Sequence, residues 1–188
     1  MRKSFRIPIC VLLLTGLFIS SCAPSTRNIK TREYPKYISS MDVGISLENS
    51  AAPAAGSCQV HALDLIGSWV IAGSLEKDVF DFTDINGKPC QGTFEADVLP
   101  LFTTPNLWYV GALSCRTCHG PDVVVSYCGL NLSSYQGIMA GAKGQDILGG
   151  GNWQGYKLYE VLSSGRMPPA KPSGYDTNGP IIFAGMSK

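Results

Sequence analysis

Ser114-Cys115-Arg116-Thr117-Cys118-His119-Gly120 is the stretch whose reading decides what kind of domain this chain builds. Two cysteines three apart, followed at once by a histidine, make a C-x-x-C-H spacing. On one helical turn residues i and i+3 share a face, so both thiols reach the same side while the imidazole turns beneath them. The bland readings of C-x-x-C are a local disulfide, a redox dithiol or half of a zinc site. Zinc needs a second cluster of ligands, and the chain has only one other histidine, His61, and no second C-x-x-C. With the histidine in place, the spacing predicts covalent attachment of one haem c through Cys115 and Cys118, with His119 as an iron ligand.

The surrounding composition suits a small, loop-rich domain. The 188 residues hold one modest domain plus extras. Hydrophobic content is 45% with 15% charged, which excludes a disordered chain, and there are 21 glycines and 12 prolines. A domain of this kind often needs a staple, which a covalently held cofactor supplies.

The first residues read as an export signal. Arg2, Lys3 and Arg6 form a basic region and residues 7–19 a mostly apolar one, too short for the ~20 residues of a spanning helix. Leu17-Phe18-Ile19-Ser20-Ser21-Cys22 resembles the lipobox of bacterial lipoproteins, which implies a signal peptide over 1–21 and lipid on Cys22. Residues 22–56 are rich in Ser, Ala, Pro and Asn and read as a lipid-anchored tether or extended arm. Without the three basic signal residues, twelve cations face fourteen acids. A mature charge near −2 argues against nucleic acid as a partner.

Of the seven cysteines, Cys10 leaves with the signal, Cys22 takes lipid, and Cys115 and Cys118 take haem. Cys58, Cys90 and Cys128 remain, and outside the cytoplasm one bridge among them is expected, Cys58–Cys90 first. The alternative is three buried free thiols.

Residues 57–188 form the expected haem-bearing domain, with its haem-binding core over 96–169. Leu63, Ile66, Trp69 and Val70 make a helical stripe within 60–72, with Gly73 as a stop. His61 precedes it and reads as structural rather than as a ligand. Asn86-Gly87 predicts a hairpin between 79–83 and 92–96. Asp81, Asp84 and Asn86 lack the twelve-residue calcium pattern. Helices are expected over 96–102, 130–140 and 156–163. Gly149-Gly150-Gly151 lacks the G-K-[ST] of a phosphate loop.

A low-spin c haem usually takes a second strong ligand, for which the mature chain offers Met41, Met139, Met167 and Met186, besides His61. Met167 stands out because Gly165-Arg166-Met167-Pro168-Pro169 ends a helix in a rigid loop that holds a thioether in one place. Its alternative role is to fill a core gap. His/Met ligation raises the reduction potential, as suits an electron carrier.

Residues 98–169 resemble a class I type cytochrome c domain. The resemblance rests on 114–120, on Gly129-Leu130-Asn131-Leu132-Ser133-Ser134-Tyr135, on Met139-Ala140-Gly141, on Leu158-Tyr159 and on 165–169. It implies thioether bonds at Cys115 and Cys118, His119 as proximal and Met167 as distal ligand, and a mainly α, class I cytochrome c-like helical domain. The wider arrangement resembles the small monohaem subunits of bacterial alternative complex III. One departure stands out: 170–188 is rich in Pro and Gly and supplies no closing helix. The stretch at 62–73 reads like that helix, so the expectation is a circularly permuted domain with its closing helix from the N-terminal side, a short β-hairpin and an extended arm.

The function expected from these readings is single-electron transfer between redox proteins by a membrane-tethered monohaem c-type cytochrome. Its place would be a respiratory or photosynthetic quinol-oxidising complex, facing the periplasm or cell exterior. The alternatives are an enzyme acting on peroxide or another small oxidant, which needs a labile iron site, and an assembly subunit with a structural haem. Arg166 or Lys171 would pair with a haem propionate or else stand as solvated charges.

Overall fold

The strand β1 (Cys58–His61) runs without a break into the helix α1 (Ala62–Ile71), and the rest of the domain is built around that pair. The computed structural model describes residues 56–188, so the signal peptide, Cys22, Met41 and the tether before residue 56 lie outside the described residues. Among the described residues no helix is long and apolar enough to cross a membrane.

Helix α1 is buried on nearly every side: Ala62, Leu63, Leu65, Ile66, Gly67, Trp69 and Val70 are all inside. Its start has no side-chain cap; the amides of Ala62 and Leu63 donate to the carbonyls of Pro180 and Asn178 instead. Its end is closed by Gly73 at φ +98°, where only glycine is unstrained, with the amides of Gly73 and Ser74 donating back to Val70 and Trp69. Trp69 packs on Phe94 at 5.0 Å between ring centroids and meets Tyr135 edge-on at 6.4 Å.

Strands β2 (Phe80–Thr83) and β3 (Pro89–Gly92) form an antiparallel hairpin. Asp84 Oδ1 accepts from the amides of both Asn86 and Lys88 at 2.8 Å, so this acid is a turn builder. The chain returns at its end as β4 (Ile181–Ala184), antiparallel to β1, and β5 (Met186–Ser187), added to β3. The sheet orders are β1-β4 and β2-β3-β5. A disulfide between Cys58 and Cys90, Cα atoms 6.6 Å apart, ties the two sheets together. The buried pair replaces the alternative of free thiols at these two positions.

The expected mainly α, permuted class I domain is therefore corrected. The described region is 31% helix and 15% strand with two small sheets, a mixed α and β architecture. The physical reasons are local. Residues 96–102 do not make one helix: a π-helical turn, Phe94–Val98, closes with the Leu99 amide on the Phe94 carbonyl, and Pro100 then opens α2 (Pro100–Thr103). Over 130–140, Asn131 Oδ1 takes the Ser133 amide and Ser134 caps the chain, so α3 begins only at Tyr135 (Tyr135–Ala140). The last helix, α4 (Lys157–Ser163), matches the stripe of Leu158 and Leu162. The tail contributes strands where a helical domain would have closed with a helix.

Candidate functional site

The C-x-x-C-H stretch is held from both sides by backbone. Upstream, the Trp108 indole donates to the Leu101 carbonyl at 2.7 Å, pinning the loop after α2. Cys115–Thr117 then form a 3-10 turn, started by the Thr117 amide on the Ser114 carbonyl. The His119 amide donates to the Cys115 carbonyl at 2.9 Å, completing the turn.

Downstream, the loop after His119 folds back on the motif. The Tyr127 amide donates to the Cys118 carbonyl at 3.1 Å and the Leu132 amide to the His119 carbonyl at 2.8 Å. The Tyr127 carbonyl lies 3.1 Å from His119 Nδ1. A carbonyl only accepts, so Nδ1 carries the proton and Nε2 keeps its lone pair for a metal. Burial holds His119 below its usual value, the Tyr127 bond offsetting part of the effect, and the neutral ring is the ligating form.

Met167 arrives from α4. Gly165 turns the chain at φ +63°, Arg166 pairs with Glu160, and the Met167 amide donates to the Val161 carbonyl at 3.0 Å. At 39% exposed, Met167 is not a core filler. It precedes a cis peptide at Pro168, and the Tyr109 hydroxyl donates to the Pro169 carbonyl.

These pieces meet in one cavity of about 260 Å³. Cys115, Cys118, His119 and Met167 all line it, and the remaining wall is mostly hydrocarbon: Phe102, Leu130, Leu132, Leu158 and Leu162 are its buried part. The arrangement offers two thiols, one neutral imidazole and one thioether around an apolar hollow. Burial pushes the Cys115 thiol up to about 12, and Cys118 nearby adds to the push. That is the reverse of a redox dithiol or a nucleophilic cysteine, whose thiolates are stabilised.

The other candidates lie elsewhere. His61 Nδ1 is 3.2 Å from the Gly179 carbonyl and 3.8 Å from Asp176, and His61 is not part of the cavity wall. Arg166 is engaged by Glu160, and Lys171 donates to the Ser164 carbonyl. A wider groove between α1, β2 and Trp153 carries Asp64, Asp81 and Lys188, of which the last two are paired at 2.6 Å. Among the described residues no group of three or more His, Cys, Asp and Glu is gathered as a metal site. One contributor escapes sequence reading: the Tyr127 carbonyl, a backbone group that carries no residue signature.

Comparison with known proteins finds no matching family model and no matching curated relative.

Proposed function

We propose that the protein is a monohaem c-type cytochrome that carries single electrons between redox partners. The single observation that carries this reading is the meeting of Cys115, Cys118, His119 and Met167 around one apolar cavity. The residues fit the group. Two thiols three apart match two thioether bonds, an imidazole with Nδ1 tied to a carbonyl would offer Nε2 to the iron, and the Met167 thioether would be a further donor. Bound there, haem supplies a one-electron iron couple. The chain's own part is to fix the imidazole through Tyr127, hold Met167 on its amide bond to Val161, and keep water from most of the cavity with leucine and phenylalanine. Burial of this kind and a His/Met pair both favour a higher reduction potential.

A tetrapyrrole exceeds a cavity of about 260 Å³, so part of it would stand at the surface. Leu113 and Tyr127, both on the cavity wall, are exposed, and Val123, Val124 and Val125 lie exposed just before Tyr127. Exposed apolar side chains beside the cofactor suit a face that meets a redox protein. In the same reading, lipid on Cys22 tethers the domain to a membrane, facing the periplasm or cell exterior, beside a quinol-oxidising complex.

The test is production in a host that attaches haem to exported proteins. The intact mass should rise by one haem, the alkaline pyridine spectrum should show both vinyl groups saturated, and Cys115→Ala with Cys118→Ala should remove the attachment. Unmodified mass in a host that loads a control cytochrome would refute the proposal.

A further inference from the structure

The Tyr175 hydroxyl is a buried side-chain polar atom with no hydrogen-bond partner. Buried hydroxyls are rarely left so, because the desolvation of the group then goes uncompensated. It does not stand at random. Its ring meets Tyr109 edge-on at 6.3 Å, and Tyr109 in turn donates to Pro169, a residue of the cavity wall. Burial pushes the Tyr175 hydroxyl up to about 12, and Tyr109, Asp176 and Cys115 add to the push.

The neighbouring polar groups are already committed. Tyr109 bonds Pro169, and Lys171 bonds Ser164 while its ammonium lies 5.7 Å over the Tyr175 ring. A tetrapyrrole with carboxylate side chains brings acceptors to a cavity whose own walls are mostly hydrocarbon. A neutral phenol beside a lysine ammonium is a suitable donor for one of them. Resting on the proposed function, we infer that Tyr175 donates a hydrogen bond to a carboxylate of the bound haem and thereby positions that carboxylate and offsets its charge.

Losing the bond leaves the carboxylate's negative charge less compensated, which favours ferric over ferrous iron. In the haem-loaded protein, Tyr175→Phe should therefore lower the midpoint potential, making the protein about threefold to tenfold less reduced at a fixed ambient potential. Redox-difference infrared carboxylate bands should move with it, while the axial-ligand spectrum stays unchanged. A merely structural tyrosine would alter melting without moving those bands. Loaded wild-type and variant proteins with equal potentials and equal bands overturn this inference and leave the cytochrome reading intact. A wild type that never takes haem overturns both. If Tyr175→Phe fails to load, the readout moves to Tyr175→His, which restores an N–H donor. Wild-type carboxylate bands then support the inference, and bands of an unbonded carboxylate overturn it.

Discussion

His119 Nδ1 donates to the Tyr127 carbonyl at 3.1 Å, so the orientation of the imidazole belongs to the loop over 120–130 as much as to the histidine's own rotamer. The loop's crest is a poor place for packing, since Val124 is 89% exposed. Deleting Val124 should slide Tyr127 off register and release Nδ1, whereas Val124→Ser keeps the length and should change nothing. In haem-loaded protein the deletion is expected to retain the thioether bonds and shift the optical spectrum toward high spin. An unchanged low-spin spectrum would show that the carbonyl does not orient the ring.

The two kinds of motif side chain titrate in opposite directions, and protein made without the cofactor should show both. His119 is depressed below 6.5, so its folded form resists protonation; that stability is present above pH 6.5 and is lost as pH falls below it. Cys115 is raised from 9.0 to about 12, so its contribution is complete below pH 9 and declines as pH rises toward 12. Tyr175 follows the same sense from 10.0. Between pH 9 and 10 the slope therefore belongs mainly to Cys115. Urea midpoints across pH 5 to 10 should fall at both ends, and Cys115→Ala should flatten the alkaline limb.

The disulfide closes a loop with a sequence separation of 32 between Cys58 and Cys90. By the chain-entropy relation a loop of that length contributes about 3–4 kcal/mol, all of it through the unfolded state. Both sulfurs are buried, so the bond also joins β1 to β3 where no solvent can substitute. The double variant Cys58→Ala, Cys90→Ala should lower Tm by roughly 10 °C for a domain of this size. Calorimetry with intact and substituted protein checks this, and a change of a degree or two would contradict it.

The residues that meet at the cavity could be picked out together because the C-x-x-C-H spacing singles out Cys115, Cys118 and His119. Met167 was legible because Gly165 and Pro168 frame it. The fold around them was not. A helical period at 96–102 could not reveal that Pro100 would split the segment, nor that Asn131 and Ser134 would take backbone amides that a helix needs. The tail misled most. The partners of its strand β4 lie more than a hundred residues away, Ala184 opposite Cys58 and Ile181 opposite His61, and no local pattern announces such contacts.

Asp97 shows how that tail is fastened. One carboxylate oxygen accepts from the Thr93 amide at 2.7 Å and the other from the Gly185 amide at 2.6 Å, joining the π-helical turn to the bend between β4 and β5. Asp97→Ala leaves two backbone donors without their acceptor, at a cost of about 1–3 kcal/mol each where they stay dry. Amide exchange should quicken over 181–187 before it does in α1. Uniform quickening across the domain would mean that the tail is not held at this point.

Gly67 lies where α1 passes Trp153. A Cβ there would stand 2.7 Å from the indole Cδ1, closer than any real contact, and Trp153 is itself buried against Tyr159 at 5.5 Å. Helix propensity alone favours Gly67→Ala by up to about 1 kcal/mol. Overpacking opposes it by about 1–3 kcal/mol, because the ring has little room to retreat. The net expectation is destabilisation, read as a lower urea midpoint; a stabilised variant would mean that α1 and Trp153 are not in contact.

Met167 stands on the cavity wall with Cys115, Cys118 and His119, and under the proposed function it would set the kind of iron couple held there. Met139 and Met186 are also exposed, yet neither is on the cavity wall, so neither is placed to substitute. In haem-loaded protein Met167→Ala should abolish the thioether-to-iron charge-transfer band of the oxidised form. Met167→His should lose the same band and lower the midpoint potential, since imidazole favours ferric iron more than a thioether does. The pair of variants separates two explanations of any fall in potential. Water entry would affect the Ala variant and spare the His variant, whereas ligand identity would lower both. Persistence of the band in Met167→Ala would assign the second ligand to another residue and remove the reason for reading the cavity as that of a high-potential carrier.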